Sequence, residues 1–139
     1  MKRLALVSGF LLVLNFLHGC DDPFEWFKRK VYRITIRNNS DNFIRIYPKY
    51  DYPDTLLPFS MPLMDGIRPR NYIFFDNENK WEEVFSELPA DTLSIFFFSE
   101  DTLKLYTWNQ IRADYKILDR YDLSLQDVKD NNWEVVFPR

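Results

Sequence analysis

Histidine, cysteine and glycine are scarce in this chain of 139 residues, which has one histidine, one cysteine and three glycines. His18 and Cys20 lie near the amino terminus, and only Gly66 lies beyond residue 19. If residues 1–19 are removed as a leader, the mature chain has no histidine. This excludes Ser-His-Asp and Cys-His nucleophilic sites and imidazole zinc sites, and the single cysteine leaves no pair for a disulfide. A lone glycine also excludes a glycine-rich phosphate loop, so we predict no cofactor and no metal site.

Positive charge is also in short supply. The chain has eighteen Lys and Arg against twenty-one Asp and Glu, and the loss of Lys2 and Arg3 leaves sixteen cations and a net charge of −5. No basic stripe survives, so we do not expect nucleic acid as a partner. Aromatic residues, by contrast, make up 18% of the chain. They can fill one hydrophobic core, and a mature chain of about 120 residues is long enough to bury one.

The first residues have the three parts of a secretory signal peptide. Lys2 and Arg3 precede an apolar stretch at residues 4–17, and the small Gly19 comes directly before Cys20. The stretch is interrupted by polar residues and is shorter than the ~20 residues that span a bilayer comfortably. We therefore predict that residues 1–19 are a signal peptide that is removed.

The run Leu17-His18-Gly19-Cys20 resembles the bacterial lipobox. The resemblance implies that the Cys20 thiol is acylated, that cleavage makes Cys20 the first mature residue, and that palmitate-like chains hold the protein to a membrane. Each buried methylene contributes about 0.8 kcal/mol, so several chains anchor a protein durably. The alternatives are an ordinary cleaved signal or a free thiol. Residues 20–30 then form a juxtamembrane linker, whose cations at 28–30 either lie on lipid headgroups or are solvated.

Residues 31–37 and 43–47 both alternate apolar and polar side chains, which predicts two strands at the start of a globular domain at 31–139. The turn formers Asn38-Asn39-Ser40-Asp41-Asn42 lie between them. We predict that the two strands pair as an antiparallel hairpin.

Residues 48–66 include four prolines, and proline neither donates to a β-ladder nor continues a helix. We predict a long ordered loop in this region, or a pair of edge segments. Tyr47, Tyr50 and Tyr52 are our candidate ligand-binding residues, because tyrosine offers a rigid amphipathic face to a sugar ring or to another protein. In the alternative, these rings fold back over the sheet as a lid.

The rest of the chain predicts short strands and helices in turn. Extended segments are expected at residues 71–75, 93–98, 101–106, 116–121 and 133–137. The almost continuously apolar run at 93–98 suits a central strand covered on both faces. Helices are expected at 81–88, after helix-capping residues at 76–79, and after Thr107 and Ser124, which make capping boxes with Gln110 and Asp127. The fold class is α+β, a single domain with an antiparallel or mixed sheet and two or three short helices. We expect five residues in the core: Leu88, Ile95, Phe97, Ile117 and Val135. The alternative is an all-β immunoglobulin-like sandwich, because the strands are short.

Residues 115–128 read Tyr-Lys-Ile-Leu-Asp-Arg-Tyr-Asp-Leu-Ser-Leu-Gln-Asp-Val, and residues 132–138 read Asn-Trp-Glu-Val-Val-Phe-Pro. Both blocks resemble small lipoproteins of Bacteroides-type bacteria. The resemblance implies that the chain shares the fold of these lipoproteins. It also implies that lipid anchors the protein at the outer membrane, where it is either periplasmic or surface-exposed. It implies nothing about catalysis. Asp21 and Asp22 are similar to the surface-export signal of such lipoproteins, although in proteobacterial lipoproteins an Asp there resembles an inner-membrane retention signal.

Three functions fit these observations. The first is a non-catalytic binding or accessory module of the cell envelope, whose partners are the membrane, through the anchor, and another envelope protein or a glycan. The second is a carboxylate-dependent hydrolase of the glycosidase kind, which needs two carboxylates in a cleft, one of them with a raised pKa. The third is a purely structural envelope protein. We rank the binding module first and the hydrolase last, and we expect the protein not to be an enzyme.

Overall fold

The computed structural model describes residues 30–139. The predicted signal peptide, Cys20 and the linker up to residue 29 lie outside the described residues. The elements in chain order are β1 (Tyr32–Asn38), β2 (Ile44–Lys49), β3 (Asp65–Ile67), β4 (Tyr72–Asn77), α1 (Trp81–Glu87), a 3-10 turn (Pro89–Asp91), β5 (Thr92–Ser99), α2 (Glu100–Leu105), α3 (Trp108–Ala113), β6 (Asp119–Ser124), α4 (Leu125–Asp130) and β7 (Glu134–Phe137). In this part of the chain, no helix combines the length and the apolar character needed to cross a membrane.

The strands form two sheets. The first has the order β4-β1-β7, in which β1 pairs antiparallel with β4 and parallel with β7. The second has the order β3-β2-β5-β6 and is antiparallel throughout. The predicted α+β class with a mixed sheet is confirmed. The all-β alternative is wrong, because four α-helices lie between or after the strands.

The predicted hairpin of residues 31–47 is wrong, although both of its strands are present. β1 and β2 belong to different sheets, and the buried Asn38 shapes the connection between them. Its Nδ2 donates to the carbonyls of Asn42 at 2.7 Å and Ile67 at 3.2 Å, and its Oδ1 accepts from the Ser40 backbone N–H at 2.9 Å. The chain therefore turns as an arch from one sheet to the other, with a side chain satisfying backbone groups that a hairpin would pair.

The main hydrophobic core is shared by the two sheets. It joins alternate residues of β1, β2, β5, β6 and β7 with buried residues of α1 and α4. Three of the five predicted core residues are buried here, namely Ile95, Phe97 and Val135, and Leu88 packs against this core while remaining partly exposed. The alternation of apolar and polar side chains along β1 and β2 also predicted correctly which face of each strand is buried.

A second, smaller core lies on the other face of β5. Phe96 and Phe98 of β5 are fully buried there against Leu57 of the long loop and Ile111 of α3. The fifth predicted core residue, Ile117, packs against this cluster and stays partly exposed. The prediction that residues 93–98 are covered on both faces is confirmed, since every one of them is buried.

Two predictions about helix starts are confirmed, and two other local predictions are wrong. The capping boxes at Thr107 and Ser124 are both formed, with Gln110 and Asp127 as the reciprocal partners. Residues 101–106, predicted as extended, belong instead to helix α2, because the Ser99 side chain accepts from the Thr102 N–H and starts a helix there. The predicted cap before α1 is also wrong: the Asn77 side chain accepts from the Asn79 N–H, and Lys80 makes no side-chain cap.

The extended segment predicted at 116–121 is shifted towards the carboxyl terminus, since β6 runs from Asp119 to Ser124. Arg120 and Asp122 lie on this strand and form a half-buried ion pair, with Nη2 and Oδ2 3.0 Å apart. Asp122 also accepts from the Ser94 hydroxyl at 2.7 Å, which ties β6 to β5. The pair is thus part of the packing of the second sheet.

Candidate recognition surface

The three candidate tyrosines differ in exposure. Tyr47 lies on β2, where its half-buried ring packs against Phe96 with centroids 6.1 Å apart. Tyr50 is exposed and Tyr52 is half-buried, and partial burial raises the pKa of the Tyr50 phenol. Tyr47 is therefore partly covered by its contact with the sheet, and Tyr50 is the most accessible of the three rings.

Apolar side chains of the same loop are far more exposed than the tyrosines. Phe59 is 82% exposed and Leu63 is 97% exposed, and Leu56 and Met61 are also exposed. We call these four residues the apolar rim. Leu105, at the end of α2, is exposed as well. Monomeric soluble proteins rarely leave several large apolar side chains of one segment in water, so such a surface points to an interaction.

Lys49 fixes the first half of the loop. Its side chain is almost fully buried, and its amine donates to the carbonyls of Asp54 at 2.9 Å and Leu56 at 2.7 Å. The carboxylates of Asp51 and Asp54 lie 3.4 Å and 3.0 Å from the same amine. Asp54 also accepts from the Leu56 N–H, and that bond, together with Lys49, lowers the pKa of its carboxyl. The charge of the buried amine is therefore neutralised, and the loop backbone is held around it.

Helix α3 and the residues after it hold the middle of the loop. The Trp108 indole N–H donates to the Pro58 carbonyl at 3.0 Å, the Arg112 Nε donates to the Leu57 carbonyl at 3.3 Å, and the Tyr115 hydroxyl donates to the Thr55 carbonyl at 3.2 Å. The Leu57 side chain packs in the second core. The loop is thus anchored at residues 54–58, while the side chains of the apolar rim are exposed.

A groove of about 510 Å³ lies beside the rim, between the loop and α2. Its apolar lining comes from Met61, Pro62, Leu63, Met64 and Leu103. Arg45 and Glu100 also line it and form an ion pair, with Nε and Oε2 2.6 Å apart. That hydrogen bond raises the pKa of Arg45 and lowers the pKa of Glu100. Methionine adapts its shape to irregular apolar partners, so the groove suits an apolar side chain next to a neutralised charge pair.

Two acidic residues that are candidates for a hydrolase form ion pairs. Asp76 is held by Arg33 through two hydrogen bonds of 2.7 Å and 3.0 Å, which lower the pKa of its carboxyl. Glu82 lines a groove of about 690 Å³ beside α1 and pairs with Lys129 at 3.1 Å. A hydrogen bond from its own backbone N–H and one from Lys129 lower the pKa of Glu82. A general acid of a glycosidase needs the opposite shift. Within residues 30–139, no group of three His, Cys, Asp or Glu side chains is arranged to hold a metal ion.

Sequence reasoning located the loop through its four prolines, and the tyrosines were chosen for their chemistry. The structure adds four exposed apolar side chains of the same segment. Periodicity did not identify them, because Phe59, Met61 and Leu63 alternate with a period of 2, as in a half-buried strand, and yet all three are exposed.

Comparisons with known proteins add no relative. No family model, no curated protein and no solved structure matches this chain.

Proposed function

We propose that this protein is a lipid-anchored lipoprotein of the cell envelope, with Cys20 as the lipidation site, and that it acts as a non-catalytic binding or accessory module. The proposed contact surface is the apolar rim on the loop between β2 and β3. The leader and lipobox support the anchor, and the Bacteroides-type resemblance supports the outer membrane as the destination. Tyr50 and Tyr52 lie at the start of the same loop and are included as minor contacts.

One observation carries the recognition role: large apolar side chains of an anchored loop face water. Lys49, Trp108 and Arg112 hold the carbonyls of residues 54 and 56–58. The conformational entropy lost on docking, roughly 1 to 2 kcal/mol per residue fixed, therefore falls mainly on residues 59–63. Full burial of a leucine or phenylalanine side chain contributes about 1.5 to 3 kcal/mol, so the burial of Phe59 and Leu63 by a partner offsets part of this loss.

The chemistry of the rim favours a protein over a glycan as the partner. Three of its four residues are aliphatic or thioether side chains, which offer no flat ring for a sugar to stack on. The apolar lining of the adjoining groove includes two methionines and two leucines, a composition typical of surfaces that accept apolar side chains of another protein. We therefore expect an envelope protein with exposed apolar residues.

The test is a pull-down from membranes of the source cells with the full-length chain as bait. The double variant Phe59→Ser/Leu63→Ser removes the two most exposed side chains of the rim, and Tyr50→Ala/Tyr52→Ala removes the tyrosines. Leu118→Ser is the matched control, because it removes an exposed apolar side chain that lies outside the loop. We expect the rim variant to lose most of the bound partner, the tyrosine variant to lose less, and the control to keep it. Equal recovery with all four baits would contradict the binding surface.

The anchor is tested in the same preparations. Intact mass of the purified protein should show cleavage before residue 20 and added acyl chains, and Cys20→Ser should leave the membrane fraction. A protein that has an unmodified Cys20 and is absent from the membrane fraction would overturn the lipoprotein assignment. It would leave the proposal for the binding surface unaffected.

A further inference from the structure

The outer edge of β4 is the remaining surface without an assigned role. We propose that β4 pairs antiparallel with β4 of a second copy of this chain, which joins the two three-stranded sheets into one sheet of six strands. This inference does not rest on the proposed function, because β4 and the apolar rim belong to different sheets.

The hydrogen-bond phase of β1 and β4 shows which backbone groups point outward. The Asn38 N–H donates to the Asn71 carbonyl at 2.8 Å, and hydrogen-bonded pairs alternate with non-bonded ones along an antiparallel ladder. Ile73, Phe75 and Asn77 therefore bond towards β1, in the register that pairs Ile36 with Ile73. The amides and carbonyls of Tyr72, Phe74 and Asp76 point to the other side, where no strand within residues 30–139 pairs with them.

This edge lacks the usual devices that prevent strand pairing. Natural edge strands are kept apart by proline, lysine, bulges or short length. β4 is six residues long, reads Tyr-Ile-Phe-Phe-Asp-Asn, and keeps an unbroken register with β1. β3, at an edge of the other sheet, has only three residues, and β6 carries three charged residues. The single charge of β4, Asp76, is neutralised by Arg33.

The strand is complementary to itself when two copies pair about Phe74. Phe74 then exchanges both of its outward backbone bonds with Phe74 of the second copy. The Asp76 N–H reaches the Tyr72 carbonyl of that copy, and this pairing leaves the contact between the Tyr72 N–H and the Asn71 side chain intact. On the inner face, Ile73 lies opposite Phe75 of the second copy, and both are half-buried residues that already pack against the main core. Cross-strand aromatic and β-branched pairs of this kind stabilise sheets.

The charges on the outer face also match across the junction. Arg33 lies over the Phe74 ring, with Cζ 3.9 Å from its centroid, and Arg37 lies over the Tyr72 ring at 5.2 Å. In the paired register Tyr72 stands beside Asp76 of the second copy. Arg37, which also pairs with Glu134 at 2.6 Å, then lies on the same face as that carboxylate. The pairing thus places a cation of one copy near a carboxylate of the other at both ends of the junction, as an isologous interface requires.

The register is tested by cysteine cross-linking of the full-length chain in detergent, with the wild type, whose only cysteine is Cys20, as the background. In the proposed pairing, the Cα atoms of the two copies of residue 74 lie about 5.5 Å apart, which suits a disulfide. The two copies of residue 72 lie about 13 to 14 Å apart, since they are offset by four residues. Under mild oxidation we expect Phe74→Cys to give at least about tenfold more covalent dimer than Tyr72→Cys or Asp76→Cys alone. A mixture of the last two variants should also give the dimer.

A dimer yield for Phe74→Cys equal to the background or equal to the other single variants would overturn the proposal, as would a cross-link to a different protein. The association itself is measured by light scattering. Phe74→Pro removes only an outward N–H, and Phe74→Lys keeps every backbone bond and adds a charge at the junction, so at least one of the two should fold. Either folded variant should be a monomer under conditions in which the wild type is a dimer. A wild type that stays monomeric, or variants that stay dimeric, would refute the pairing.

Discussion

Two buried polar side chains determine the irregular parts of this protein. Asn38 closes the arch between the sheets and Lys49 holds the loop that carries the apolar rim. Each side chain donates to several carbonyls that no strand ladder reaches. Among residues 30–139, no buried side-chain nitrogen or oxygen lacks a hydrogen-bond partner. The two residues thus do for loops what ladders do for strands, which is to satisfy buried backbone groups.

Asn38→Ala should destabilise the protein strongly. The variant removes donors to the Asn42, Ile67 and Arg68 carbonyls and the acceptor for Ser40, and each buried group left unsatisfied costs about 1 to 3 kcal/mol. Because the arch can relax towards water in part, we expect a loss of about 2 to 4 kcal/mol in the free energy of unfolding, measured by urea titration. Asn39→Ala, at an exposed neighbour, is the control and should change it by less than about 0.5 kcal/mol.

The role of Asn38 shows the limit of sequence reasoning at this scale. Its place in a run of turn formers correctly indicated a reversal of the chain. Two of its carbonyl partners, Ile67 and Arg68, lie about thirty residues away in the chain, and no local pattern can identify them. A tight turn and an arch use the same residue types, and the distant partners decide between the two.

Among the predictions of helices and strands, the two that specify both bonding partners within a single helical turn were correct. Both capping boxes formed as predicted because all of their bonds join residues three apart. The prediction of an extended segment at 101–106 was wrong. Leu103 and Leu105 alternate as in a strand, but Leu105 is 76% exposed and the Ser99 side chain starts a helix. Five of the seven strands of residues 30–139 were predicted near their positions, whereas β6 was predicted too early and β3 lies in the segment predicted as a loop or edge segments. The predicted pairing of β1 with β2 was wrong, since pairing is decided by the core and not by the neighbouring sequence.

The cap of α4 should make stability depend on pH. Hydrogen bonds from the Ser124 hydroxyl and N–H lower the pKa of Asp127 in the folded state. A lowered folded pKa adds stability that is present above the pKa of the unfolded chain and is lost as the pH falls through the folded value. Asp127→Asn keeps an acceptor oxygen and removes the charge. Its urea midpoint should therefore lie below that of the wild type at pH 7, and the difference should shrink as the pH falls below about 4.

Two further variants make this result specific. Ser124→Ala, which removes the cap itself, should lose about 1 kcal/mol at pH 7. Glu87→Gln, which removes an exposed carboxylate from the last turn of α1, should follow the wild type at every pH. A constant difference between Asp127→Asn and the wild type from pH 7 to pH 3 would show that the charge is not what the cap depends on.

In the domain at residues 31–139, the loop between β2 and β3 forms a layer on the outer face of the second sheet. The two sheets enclose the main core, and the loop with α3 covers the outer face of β5. This explains why the sequence predicted the position of the loop but not which of its side chains are exposed. Prolines reveal an irregular segment, whereas the choice between inward and outward side chains depends on where Phe96 and Phe98 need cover.

The layer assignment predicts opposite outcomes for two adjacent leucines. Leu57 is 5% exposed and packs in the second core, whereas Leu56 is 73% exposed on the apolar rim. Leu57→Ala should cost about 2 to 4 kcal/mol in the free energy of unfolding, because it leaves a cavity beneath the loop. Leu56→Ala should cost less than about 0.5 kcal/mol and should weaken partner capture in the pull-down. If the loop is a true layer, Leu57→Ala lowers the midpoint of a single transition seen alike by tryptophan fluorescence and circular dichroism. A separate early transition confined to the loop would mean that the segment with the apolar rim unfolds independently of the rest of the domain.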